Sequence, residues 1–159
     1  MIKRQSRIIA VLDNIRSLYN VGSIFRTSDA FAIEHLYLCG LTGTPAEAKQ
    51  RAQITKTSLG AEQTVPWSYA PQAIEVIREL KRDGLFILAL EQAPTALSIT
   101  TYSPPSNAPI ALVVGHELYG VSEGALKLAN QTIQIPMLGI KESLNVTVAY
   151  GIALAHLRQ

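Results

Sequence analysis

The stretch Ile135-Pro136-Met137-Leu138-Gly139-Ile140-Lys141-Glu142-Ser143-Leu144-Asn145-Val146-Thr147-Val148 decides how the chain is to be read. Three kinds of local structure meet in it. Ile135 closes the short apolar run 133–135, Gly139 sits in a polar loop, and Ser143 and Asn145 stand where the N-cap of a helix belongs. From Val146 onward, Ala149, Tyr150, Ala153, Leu154 and Leu157 recur at i+3, i+4, i+7, i+8 and i+11, one stripe that must be buried against something.

Moving outward, further apolar runs at 8–12, 36–39, 85–90 and 110–114 alternate with helix-period segments. That alternation predicts an α/β domain with a largely parallel sheet and flanking helices. The spacing of Ala73, Ile74, Ile77 and Leu80 predicts a helix over 71–82, with Pro71 in a helix-first position and Gly84 just past the end. Other helices are expected over 21–31 and over 122–129, the latter capped by Ser122, and a weaker strand near 64–67. Loops fall at 40–45 and 103–107, and no repeat or long linker divides the chain, so one domain is expected.

At 159 residues, 48% of them hydrophobic, the chain can bury one sizeable core. It holds no uncharged apolar run long enough for a bilayer, and Lys3, Arg4 and Arg7 lead into the first strand without a cleavage-site pattern, so a soluble cytoplasmic protein with no membrane contact is expected. The single cysteine, Cys39, excludes a disulfide within the chain and reads as the end of a buried strand. His35, His116 and His156 lack metal-ligand spacing, so no metal is expected. A net charge of +2 is far from the strongly basic balance that by itself indicates nucleic acid. The local groups Lys3, Arg4, Arg7 and Lys49, Arg51, Lys56 are the candidate phosphate contacts.

In an open α/β sheet, ligands sit beyond the carboxyl ends of the strands. Three such places are rich in polar residues and glycine. The first runs from Asp13 through Asn20 and Gly22 to Arg26-Thr27, the second is Gly115-His116-Glu117-Leu118-Tyr119-Gly120-Val121-Ser122, and the third begins at Ile135. Gly115 and Gly120 are spaced like a phosphate-loop pair, but Val121 and Ser122 stand where Lys and Ser or Thr are needed, and no GxGxxG follows the first strand. Phosphate-loop and dinucleotide readings therefore lose their main support.

Together, in this order, the three loops resemble the motifs of the SpoU/TrmH family of SPOUT-class RNA ribose 2′-O-methyltransferases. Asn20-x-Gly22-x-x-x-Arg26-Thr27 is similar to motif one, Gly115-x-Glu117-x-x-Gly120-Val121-Ser122 to motif two, and Ile135-Pro136-Met137 through Ser143-Leu144-Asn145-Val146 to motif three. The resemblance runs from the first strand to the last helix. His116 departs from it, standing where a smaller or amide residue is more usual.

What the resemblance implies is specific. Arg26 is assigned to the 2′-hydroxyl, and because a guanidinium stays protonated, electrostatic stabilisation of the developing alkoxide is its expected work. Asn20 is expected to cap the helix starting at Val21 and to orient Arg26 or Glu117. Glu117 is expected to pair with Arg26, and Ser143 and Asn145 to stand at the reaction centre. S-adenosylmethionine is the implied cofactor, held by Leu90, Glu91, Gly115, Ile135, Met137, Ser143 and Leu144, with Leu90, Ile135 and Leu144 sandwiching the adenine. The family's fold implies a C-terminal trefoil knot, and its sites imply a homodimer, for which the stripe of the last helix is the expected contact. With no separate RNA-binding domain expected, RNA would be gripped by the basic groups named above, transfer RNA before ribosomal RNA because the chain is compact. The alternative is a catalytically silent knotted protein that binds RNA or the cofactor; retention of Arg26, Glu117, Ser143 and Asn145 argues against it.

Overall fold

Successive strand residues point to opposite faces, and here both faces are covered, which is why the strands read as unbroken apolar runs. Ile8, Ala10 and Leu12 enter one core with Leu36, Leu38, Leu88, Leu112 and Val114, whereas Ile9 and Val11 enter a second with Cys39, Ile87, Ala111 and Val113. The computed structural model describes residues 6–159; Lys3 and Arg4 therefore lie outside the described residues.

Seven strands, β1 (Ile8–Asp13), β2 (His35–Cys39), β3 (Trp67–Ala70), β4 (Phe86–Leu90), β5 (Leu97–Ser98), β6 (Ile110–Gly115) and β7 (Gln131–Gln134), form one sheet in the order β3-β2-β1-β6-β4-β7-β5. Every neighbouring pair is parallel. Helices α1 (Leu18–Ala30), α2 (Ala48–Ser58) and α5 (Val146–Leu157) lie on the side of the first core, and α3 (Ala73–Arg82) and α4 (Glu123–Leu128) on the other. The expected parallel α/β architecture is present. The strand expected near 64–67 is shifted to β3, and the two-residue β5 and the helix α2 carry no periodic signal strong enough to announce them.

The stripe of the last helix has a different fate from the one expected. Tyr150, Ala153, Leu154 and Leu157 pack inside their own chain, Tyr150 fully buried with its hydroxyl 2.8 Å from Ser28 Oγ of α1. Burial raises the Tyr150 phenol above its ordinary range. Because α5 is apolar all round, Val148 and Ile152 remain on the outward face. Cys39 is buried as expected, and that burial, with the Asp13 carboxylate adding to it, pushes its thiol up to about 12.

Gly22 explains how α1 and α2 sit so close. A Cβ there would lie 2.1 Å from Thr57 Oγ1 and 2.3 Å from the Ile54 carbonyl oxygen. Gly22→Ala should therefore cost about 1–3 kcal/mol by overpacking, read as a lower midpoint in chemical denaturation; an unchanged midpoint would mean that the helices stand farther apart.

Candidate active site

The order of the strands places a switch point between β1 and β6, whose connections leave toward opposite sides of the sheet. The loop after β6 doubles back at once: His116 N–H donates to the Gly120 carbonyl at 3.0 Å and Gly120 N–H returns to the His116 carbonyl at 2.8 Å. Only a glycine fits at 115, since a Cβ would lie 2.2 Å from Gly120 C and Val121 N. Gly120, at φ +70, takes the left-handed conformation that glycine tolerates, with the Glu91 carboxylate where a Cβ would go. Glu91 in turn accepts Val121 N–H at 2.7 Å and Gln92 N–H at 3.0 Å. The two glycines that mimic a phosphate loop thus serve a tight return, braced by the carboxylate that follows β4.

That return presents Glu117 to the start of α1. Its Oε2 accepts Arg16 N–H at 3.0 Å, and its Oε1 accepts Ser17 N–H and the Asn20 side-chain amide, each at 3.0 Å. A carboxylate at a helix N-terminus also meets the positive end of the helix dipole. Desolvation, the largest single influence, pushes the Glu117 carboxyl up, but the bonds from Ser17, Asn20 and Arg16 together outweigh it and hold it below the ordinary carboxylate range.

This arrangement corrects two expectations. Helix α1 begins at Leu18 with Ser17 as its N-cap, accepting Asn20 N–H at 3.2 Å, so Asn20 lies in the first turn and its side chain is free to hold Glu117. Nor is Arg26 the partner of Glu117. Its guanidinium is exposed on α1 and forms no ion pair among the described residues. Backbone N–H groups satisfy the carboxylate instead, a partner that residue identities alone do not reveal.

Asn145 does cap α5, accepting Thr147 N–H at 2.8 Å, and its amide also reaches Asn20 Oδ1 at 3.5 Å. Capping and site assembly are compatible there. At α4, Ser122 occupies the cap position but its hydroxyl caps nothing; buried Asp13 accepts Ser122 N–H at 2.8 Å in its place. Asp13 and Ser17 were not singled out in the sequence; a carboxylate ending an apolar run was the one available signal for Asp13.

Between these loops lies a cleft of about 400 Å³, within the usual range for a small-molecule site. Leu90, Glu91, Gly115, Glu117, Ile135, Ser143, Leu144 and Asn145 all line it. Strand β7 ends at Gln134, so Ile135 lies just past a strand end, its carbonyl accepting Gln92 Nε2 at 2.7 Å. Met137 and Arg26 are not among the lining residues, and Asn20 touches the cleft only through Glu117 and Asn145. The lining contains two carboxylates and no Lys or Arg.

Of the basic groups, Arg7 forks onto Glu34 with two 2.6 Å bonds, Arg51 donates to the Pro45 carbonyl at 3.1 Å, and Lys56 lies 5.9 Å above the Tyr19 ring. Lys49 is exposed on α2. No helix among the described residues is long and apolar enough to cross a membrane.

Against known proteins, the profile described as the SpoU rRNA Methylase family matches residues 7–155. The chain belongs to the SpoU rRNA Methylase family. Among its relatives, the tRNA (guanosine(18)-2′-O)-methyltransferase of Aquifex aeolicus is 34% identical over 154 residues, 96% of this chain and 69% of the relative. The 23S rRNA (guanosine-2′-O-)-methyltransferase of Neisseria meningitidis is 28% identical over 152 residues, 96% of this chain and 58% of that protein. Among solved structures, the AdoMet-bound rRNA methyltransferase of Sinorhizobium meliloti superposes with a TM-score of 0.86 at 25% identity, covering 99% of this chain and 58% of that one.

Proposed function

We propose that this chain methylates a ribose 2′-hydroxyl of RNA with S-adenosylmethionine as donor. The observation that carries the reading is the cleft itself, lined by Glu91 and Glu117 with no cationic side chain. A site for the phosphates of ATP or NAD calls for cations or a glycine-rich nest, whereas these walls suit a ligand that is itself positively charged. S-adenosylmethionine, when bound, supplies a methyl group on a cationic sulfur. The apolar side chains of Leu90, Ile135 and Leu144 wall the space for its adenine, and Ser143 and Asn145 offer polar groups at the open side. Glu117 and Asn20 clasp the start of α1, the helix that carries Arg26.

Because Arg26 lies on the exposed face of α1 and outside the lining of its own cleft, it reaches a reacting hydroxyl by crossing to a second copy. A homodimer fits the exposed apolar groups near the site: Leu138 and Ile140 are 97% and 99% exposed, with Leu118, Tyr119, Val148 and Ile152 also in solvent. A trefoil knot belongs to the same reading, since the segments following β4, β6 and β7 crowd around one cleft. RNA would be held on the exposed faces of Lys49, Arg51 and Lys56, in a cytoplasmic setting. Transfer RNA is preferred as substrate, the tRNA relative being the more similar of the two, 34% against 28%.

Total RNA from a strain lacking the gene, incubated with the protein and methyl-labelled S-adenosylmethionine, should acquire 2′-O-methyl nucleosides, mainly in the tRNA fraction. Transfer to no RNA at all would refute the activity, and calorimetric binding of NAD or ATP but not S-adenosylmethionine would refute the cofactor.

A further inference from the structure

We propose that His116 uses its two ring nitrogens separately, Nδ1 to fix the loop after β6 and Nε2–H to hold an anionic oxygen of a ligand in the cleft. The inference rests on the function proposed above. Nδ1 accepts Leu118 N–H at 3.0 Å and Tyr119 N–H at 3.3 Å. A nitrogen that accepts carries no proton, so the neutral ring bears its proton on Nε2. The ring is steadied by Tyr119, whose centroid is 4.8 Å away. His116 lines the cleft, and its Nε2 has no partner among the described residues.

Apart from Ser143, the other polar side chains of the lining are already engaged. Glu91 accepts Val121 N–H and Gln92 N–H, and Gln92 donates to the Ile135 carbonyl. Gln134 donates to the Ala96 carbonyl, Glu117 clasps α1, and Asn145 joins Thr147 to Asn20. His116 Nε2–H and the Ser143 hydroxyl remain uncommitted in a cleft with no Lys or Arg in its lining. A small amide at position 116 would supply the acceptor that the loop needs; the imidazole adds a second polar atom, a donor in the neutral ring. An anionic oxygen can come from the carboxylate of S-adenosylmethionine or from an RNA phosphate.

Asparagine keeps an acceptor in the place of Nδ1 and removes Nε2, so His116→Asn should leave the melting temperature unchanged. A hydrogen bond to a charged oxygen is worth roughly tenfold or more in binding. If the carboxylate is the acceptor, His116→Asn raises the Kd of S-adenosylmethionine about tenfold and leaves that of methylthioadenosine, which lacks the carboxylate, unchanged. If the phosphate is the acceptor, the KM for RNA rises instead and both Kd values hold. His116→Gln, which keeps a donor in the place of Nε2, should recover part of the lost affinity while lowering the melting temperature.

His116→Asn matching the wild type in both constants, with only His116→Ala and His116→Gln destabilised, would reduce His116 to a loop clip and overturn the proposal. Should the variants fail to fold, nitrogen NMR of the wild-type ring decides: the proton must sit on Nε2 and its resonance must move on adding S-adenosylmethionine or RNA. A proton on Nδ1, or an Nε2–H that neither moves, overturns it. Failure of the wild type to bind S-adenosylmethionine at all would instead defeat the cofactor reading.

Discussion

Replacing Arg26 with alanine should lower methyl transfer by about 10²–10³-fold, the usual cost of removing one donor that stabilises a developing oxyanion, while the Kd of S-adenosylmethionine stays the same. The guanidinium is exposed, takes part in no ion pair among the described residues and is absent from the cleft lining, so its loss removes charge from the transition state without disturbing the cofactor walls. Single-turnover rates alongside calorimetry separate the two quantities; a weakened Kd with an intact rate would reassign the residue. Mixing this variant with Asn145→Ala tests the crossing of Arg26 to a second copy. In mixed dimers one cleft would then combine intact Asn145 with an intact Arg26 from its neighbour, restoring about a quarter of wild-type activity by random pairing, whereas a site complete within one chain would recover nothing.

Glu117→Ala should damage both fold and rate. The carboxylate satisfies Arg16 N–H, Ser17 N–H and the Asn20 amide, each at 3.0 Å, and leaving such donors unpaired costs about 1–3 kcal/mol, toward the low end here because the group is partly solvated. The start of α1 would drift from the loop after β6, and a misplacement of roughly 1 Å can cost about 10²-fold in rate. Glu117→Gln, which keeps an acceptor but loses the charge, should fall between. The pH dependence has a definite sign. The folded-state pKa of Glu117 is lowered, so its contribution to stability is fully present above the unfolded carboxyl value of about 4.3 and is lost as pH falls through the lower folded value. Denaturation midpoints of wild type and Glu117→Ala should therefore differ at neutral pH and converge under acid; a gap that persists in acid would mean that the loss is one of packing rather than charge.

Much of this molecule was legible residue by residue. Runs such as Ile8-Ile9-Ala10-Val11-Leu12 marked strands buried on both faces, and two of the three polar loops, those after β6 and β7, supply walls of the cleft, whereas the loop after β1 meets it only through Glu117 and Asn145. Leu90, Gly115, Ile135, Ser143 and Leu144 were all named in advance and all line it. Helix α2 escaped because its buried residues are only Ile54 and Ser58, too few for a periodic stripe. The partner of Glu117 was misread because charge complementarity is visible in residue types, whereas main-chain N–H groups are anonymous until the backbone is folded.

The chain's own letters determined the strand runs, the turns that demand glycine at 115 and 120, and the polar residues that follow each strand, since these depend on steric and burial preferences acting over a few neighbours. Tertiary structure alone decided that Glu117 clasps the start of α1, 100 residues away from Ser17 in the chain, and that Asn145 meets Asn20 across 125 residues. It also turned the apolar stripe of α5 inward onto α1 and left Val148 and Ile152 outside. Contacts of that range follow from the order in which parallel strands are laid side by side, and that order is a property of the whole packed sheet.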